Sequence, residues 1–110
     1  MIEFSANESG ESGSLTLSGE VTIQHAEILK EALLEAISVS KRLEFNLEKI
    51  ERTDLSCLQL LCSAHRSFLH AGKEVKAVGK IPPSFRDAVL EAGFVGCVAG
   101  DDSSGLWTGA

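Results

Sequence analysis

Three histidines, three cysteines and the Asp54-x-Ser56 pair are the residues of this 110-residue chain whose types could do chemistry. Cys62 and His65 stand three apart, a spacing that lets two side chains on one helix share a metal. No second pair at ligand spacing accompanies them, so a metal site is not expected. Asp54, Ser56 and a downstream histidine have the composition of a nucleophile triad, yet no G-x-S-x-G elbow or oxyanion loop goes with them. The phosphate loop G-x-x-x-x-G-K-[ST], G-x-G-x-x-G and H-E-x-x-H are also absent. A chain this short offers little room for a deep pocket, so binding is expected rather than catalysis, with no cofactor.

What remains is residues 53–61, Thr-Asp-Leu-Ser-Cys-Leu-Gln-Leu-Leu. This segment follows a polar run and leads into an apolar pattern of helical period, so a helix should begin near Leu55 or Ser56. The first N–H groups of a helix lack intrahelical acceptors, and the macrodipole makes that end mildly positive. Two readings of Ser56 follow. It caps the helix, since Ser56-x-x-Gln59 fits the capping box. Alternatively it is a surface hydroxyl where an added phosphate changes recognition by a partner without unfolding the domain.

The elements that must position this segment can be read from periodicity. Residues 2–4 and 15–18 alternate and flank a Gly/Ser/Glu-rich turn over 8–14, which predicts a hairpin. From Ile23 the period changes. Ala26, Leu29, Leu33, Ala36 and Ile37 predict an amphipathic helix of about four turns capped by Thr22. Residues 43–47 alternate again as a strand that ends in the polar run 48–54. The second helix runs to Ala71, with Leu58, Leu61, His65, Phe68 and Leu69 on or near one side and Gly72 as its stop.

Residues 74–78 form a further strand. Pro82-Pro83 opens a third helix whose Phe85, Val89 and Ala92 share a face and which Gly93 ends. Phe94 to Val98 is either a short strand or a cover for the core. The alternation of strand and helix predicts an α/β fold: a mixed sheet with an N-terminal antiparallel hairpin, followed by alternating helices and parallel strands. Residues 1–99 make the domain. Residues 100–110 read as a flexible tail, with Trp107 packing back or resting at a contact.

Composition narrows the partners. Ten basic against sixteen acidic residues leave a net charge of -6, the wrong sign for binding nucleic acid or anionic lipid. No apolar run approaches a membrane span, and residues 1–4 lack the features of a signal peptide, so a cytoplasmic location without membrane insertion is expected. An odd number of cysteines with no C-x-x-C agrees with a reducing compartment, and all three read as small buried hydrophobes.

Order and spacing of these segments resemble the STAS domain, the class of sulfate transporters and anti-sigma factor antagonists. Leu17-Ser18-Gly19-Glu20-Val21-Thr22 is similar to the family's strand end before its first helix. Residues 43–47 followed by Thr53-Asp54-Leu55-Ser56 resemble its central strand and D-[ST]-[ST]-G-L loop, and Ala71-Gly72-Lys73 precedes the next strand as in the family. Cys57 stands where the family has Gly, and Leu55 where it has a first hydroxyl. Asp102-Ser103-Ser104-Gly105-Leu106 spells the loop more closely but follows no central strand and has no room after it for a helix.

The resemblance implies a stand-alone bacterial regulatory module. A serine kinase of the anti-sigma factor type would phosphorylate Ser56, a PP2C-type phosphatase would reverse it, and transcription would be the output. Asp54, Leu55, Ser56, Cys57 and Gln59 would form the partner-binding surface. Other members of the family serve unphosphorylated as scaffold subunits, so a subunit of a lipid-transport ATPase complex or of a chemotaxis-associated signalling array is the alternative.

Overall fold

In the computed structural model, which describes residues 1–94 and 106–107, strand and helix alternate from the second strand on. The elements are β1 (Ile2–Ala6), β2 (Ser12–Val21), α1 (Ala26–Val39), β3 (Arg42–Thr53), α2 (Leu55–His70), β4 (Glu74–Val78) and α3 (Pro83–Ala92). The sheet has the order β1-β2-β3-β4. β1 is antiparallel to β2, and β2/β3 and β3/β4 are parallel. The hairpin followed by parallel crossovers is the mixed α/β sheet expected from the sequence.

Period-two alternation decides which face is covered. Leu15 and Leu17 of β2, Leu43, Phe45 and Leu47 of β3, and Val75 of β4 are buried, and Leu29, Leu33, Leu58, Leu61, Phe68 and Phe85 of the helices close over them. Ser14, Thr16, Glu44 and Lys76 occupy the opposite parity and stay partly or fully exposed. The protein is therefore a two-layer sandwich of sheet and helices with one polar sheet face.

β3 is longer than alternation alone suggests. It pairs with β2 through register shifts between Thr16 and Ser18 and between Gly19 and Glu20. Each shift inserts an extra residue on β3, so buried Leu47 is followed by exposed Glu48 and Lys49 before Ile50 turns inward. What reads as a polar loop over 48–54 is thus a bulged strand as far as Thr53. The bulges bend this end of β3 toward α3, where the Ser84 hydroxyl donates to the Ile50 carbonyl at 2.7 Å. β2 likewise outruns its expected end at Gly19, whose φ of 70° accommodates the irregular register.

Glycine is required at Gly13 for a different reason. A Cβ there would lie 2.5 Å from the Ser40 hydroxyl and 2.8 Å from the Phe4 ring, because the end of α1 and β1 close over this point.

Two readings of the tail and cysteines change. Leu106 and Trp107, within the stretch read as a tail, are buried in the core. The indole Nε1 donates to His65 Nδ1 at 3.0 Å, and the ring sits 6.0 Å from Phe85 and 6.2 Å from Phe94. Trp107 therefore packs back, the first of the two alternatives, and the Asp102–Gly105 motif and residues 95–98 lie outside the described residues. Cys62 is not a plain buried hydrophobe but is disulfide-bonded. Disulfides join positions that are distant in sequence, so spacing could not reveal it, and the cysteines no longer argue for a reducing compartment. Cys57 is a free buried thiol.

Candidate functional site

α2 begins at Leu55, one of the two starts expected, and its cap is Asp54. The Asp54 backbone is extended, as an N-cap requires, and its Oδ1 accepts from the Cys57 N–H at 3.3 Å. Its Oδ2 accepts from the Ile23 N–H at 3.0 Å. One carboxylate thus stops β3, starts α2 and ties that start to the leading 3-10 turn of α1, residues Ile23–His25.

The Ser56 capping box does not form. An N-cap needs extended backbone and lies just before the helix, whereas Ser56 is already its second residue. At the other helix start, Thr22 precedes the 3-10 turn and its N–H donates to His25 Nδ1 at 3.2 Å. Regular α-helix therefore begins only at Ala26, later than a Thr22 cap alone would place it.

Helical geometry at about 100° per residue then sorts the first turn. Leu55 points outward and is 50% exposed, whereas Cys57 points inward and is 1% exposed. Ser56 is half-buried and Gln59 exposed. Of the five positions expected to meet a partner, Leu55, Ser56 and Gln59 offer side chains to the surface. Asp54 is half-buried with both oxygens engaged. Cys57 offers none, which corrects its place in the expected binding surface: its thiol belongs to the core.

Burial pushes the Cys57 thiol up to about 11; the Thr53 side chain opposes the rise by hydrogen bonding and the Asp54 charge adds to it. The thiol is neutral and inert at physiological pH. Because Cys57 is turned inward with helical backbone, replacing the family's Gly adds no bulk at the surface; Leu55 does.

Two features escaped sequence reasoning. Ile23, 65% exposed, has its backbone N–H tied to Asp54, the residue before Leu55. An apolar residue directly after Thr22 that falls off the buried stripe of α1 was the available signal. On the other flank, a recess of about 360 Å³ opens between α2 and α3, lined by Asp54, Leu55, Leu58, Ala88 and Glu91 among others. Among the described residues no cluster of His, Cys, Asp or Glu could hold a metal, and no helix is long and apolar enough to cross a membrane.

Comparison with known proteins follows the same outline. Residues 4–99 match the family described as "Mlab, STAS domain". Among solved structures, the chain resembles the anti-sigma factor antagonist SpoIIAA in its unphosphorylated form, with a TM-score of 0.70, 17% identity, and 84% of this chain and 81% of that chain covered. The phosphorylated form of the Bacillus cell fate determinant SpoIIAA gives 0.68, 17%, 84% and 84%. An anti-sigma factor antagonist from Mycobacterium paratuberculosis gives 0.66, 19%, 84% and 77%. No curated protein matches the sequence. The family match spans most of the chain, the mixed sheet agrees with the fold of the solved antagonist structures, and the chain belongs to the STAS domain family.

Proposed function

We propose that this STAS protein is a regulatory binding module that docks a serine kinase of the anti-sigma factor type, or another signalling protein, through the start of α2, and that phosphorylation of Ser56 switches the docking. The observation that carries the reading is the division of labour at that start. Asp54 does the capping, so the Ser56 hydroxyl is not needed for the fold and stands half-exposed in the first turn.

A phosphate there would add roughly -1.5 to -2 charges and gain about 0.3 to 1 kcal/mol from the helix dipole, so the domain would stay folded. The effect would fall on a partner shaped for a neutral hydroxyl. A penalty of about 3 kcal/mol is already more than a hundredfold in affinity. The likeness to both an unphosphorylated and a phosphorylated antagonist structure supports a fold that tolerates the modification. A PP2C-type phosphatase, a cytoplasmic setting and a transcriptional output belong to the same reading.

The test is incubation of the full chain with a serine kinase of the anti-sigma factor type and ATP, followed by intact mass and partner binding. One added phosphate that is absent from Ser56→Ala, with partner affinity lowered at least tenfold, is the expected result. A phosphate that persists in Ser56→Ala rejects the site.

A second reading is a constitutive scaffold subunit of a lipid-transport ATPase complex or a chemotaxis-associated array. It is favoured by two large exposed apolar side chains, Ile23 and Leu55, on the two segments that Asp54 ties together, as a permanent contact would use them. It predicts stable co-purification with one partner that is indifferent to Ser56→Ala and lost in Leu55→Asp.

A further inference from the structure

Two attachments leave the buried side of α2 one turn apart. Cys62 is disulfide-bonded, and the ring of buried His65 accepts from the Trp107 indole at 3.0 Å. Residues three apart on a helix point about 60° from each other, so both attachments share one side of α2. The chain has three cysteines and Cys57 is a free thiol, so the count leaves Cys97, outside the described residues, to close the bond within the chain.

Both attachments therefore fasten the stretch that follows α3. Trp107 rests 6.0 Å from Phe85 of α3 and 6.2 Å from Phe94, so the stretch is held to α2 and α3 together. The strand pairings and the Asp54 bridge between α1 and α2 are made without it. Size argues that the bond is not a condition of folding. Domains that need a covalent staple are mostly shorter than about 70 to 80 residues, and here a continuous core runs from Leu15 of β2 to Val89 of α3. The remaining cysteine stays out of the chemistry. Cys57 is 1% exposed and its thiol, pushed up to about 11, is protonated at neutral pH, whereas a disulfide is attacked by a thiolate.

We propose that the Cys62–Cys97 pair is a reversible redox clasp: closed, it fixes the Trp107 segment on α2 and α3, and open, it leaves that segment held by non-covalent contacts that can let go. A low-molecular-weight disulfide such as glutathione disulfide closes it. One protein thiolate attacks that disulfide and expels one glutathione, and the second displaces the other glutathione from the mixed disulfide. Two protein thiols and one glutathione disulfide thus become one protein disulfide and two glutathiones, two electrons and two protons passing to glutathione. Opening is the reverse. Since Phe85 and His65 are contacts of Trp107, release of the segment uncovers apolar surface between α2 and α3. The inference is independent of the Ser56 reading.

Trp107 is the single tryptophan of the chain and serves as the reporter. The full chain is equilibrated in buffers of varied glutathione to glutathione disulfide ratio and followed by non-reducing peptide mapping, acrylamide quenching of Trp107 and far-UV dichroism. The closed form should yield a Cys62–Cys97 cross-linked peptide. Opening should raise the quenching constant at least about threefold while dichroism and a single cooperative urea transition are kept. Cys97→Ser should quench like the open form in every buffer, and Cys57→Ala should keep the full response.

Equal quenching of Trp107 in the two forms overturns the proposal, as does a cross-link between two copies. A bond that stays closed at every glutathione ratio, or a chain that loses its dichroism on opening, makes the disulfide a fixed staple and overturns it equally.

Discussion

Replacing Asp54 by alanine removes both bonds of the carboxylate that joins α1 to α2. The cap bond to the Cys57 N–H is 3.3 Å, and losing a cap of this kind costs about 1 kcal/mol. The second bond, to the Ile23 N–H at 3.0 Å, involves an ionised acceptor, but Ile23 lies at the surface and its freed N–H can turn to water, so its loss costs about 1 kcal/mol and not the full charged-bond value. Together the two give about 2 kcal/mol. For a domain of this size that lowers Tm by about 8 °C.

Asn separates the two contributions. It caps as well as Asp, but where its carbonyl oxygen serves Cys57 its NH2 group faces the Ile23 N–H donor, so Asp54→Asn should cost about 1 kcal/mol. Ser56→Ala, which removes no cap, should stay within about 0.5 kcal/mol of the parent protein. Urea unfolding followed by far-UV dichroism measures all three. An Asp54→Ala protein as stable as the parent, or a Ser56→Ala protein as damaged as Asp54→Ala, would refute the assignment of the cap and with it the independence of Ser56 from the fold.

Gly13→Ala forces a methyl group into space 2.5 Å from the Ser40 oxygen and 2.8 Å from the Phe4 ring, and should cost about 1 to 3 kcal/mol in the same unfolding assay. Trp107→Phe keeps an aromatic ring but takes the indole donor away from buried His65, which should cost about 1 to 3 kcal/mol. A cost near zero would mean the 3.0 Å bond contributes nothing. The Cys57 thiol, raised to about 11, should resist iodoacetamide at pH 8 in the folded protein and react at once in guanidinium. Its linkage to stability has a definite sign. The unfolded thiol loses its proton near 9.0 and the folded one near 11, so this group leaves stability unchanged below pH 9 and lowers it as pH rises from 9 to 11. A Cys57→Ala protein should lose less stability than the parent across that window.

How far the fold was legible depended on whether a local pattern carried the information. Helix-period spacing of Leu29, Leu33 and Ala36 and alternation of Leu43, Phe45 and Leu47 are each local, and they placed the layers and the buried face. Alternation failed where β3 bulges. Glu48-Lys49 and Glu51-Arg52 are pairs of adjacent exposed residues, which in one dimension look like loop and in three are the outward side of a bent strand. The site was legible to the level of the segment and not of the atom. Asp54 and Ser56 are both competent caps two residues apart, and the deciding partner, the Ile23 N–H, lies 31 residues upstream. The choice between the two alternatives for Trp107 was closed to a local pattern for the same reason: its partners His65, Phe85 and Phe94 are tertiary, whereas the glycines around it spell a tail.

The same long-range bond bears on what Cys57 does in a position the family fills with glycine. No residue other than glycine has positive φ among the described residues, so the backbone at Cys57 makes no demand that only glycine could meet. The side chain drops into the core beside Leu58 and Leu61, while its N–H is held by Asp54. That first turn is anchored twice, through a backbone bond and through a buried side chain, where a glycine would be anchored once. A turn so fixed cannot remodel to absorb a phosphate inward. Charge added at Ser56 would therefore stay on the surface between Leu55 and Gln59, where a partner would meet it directly.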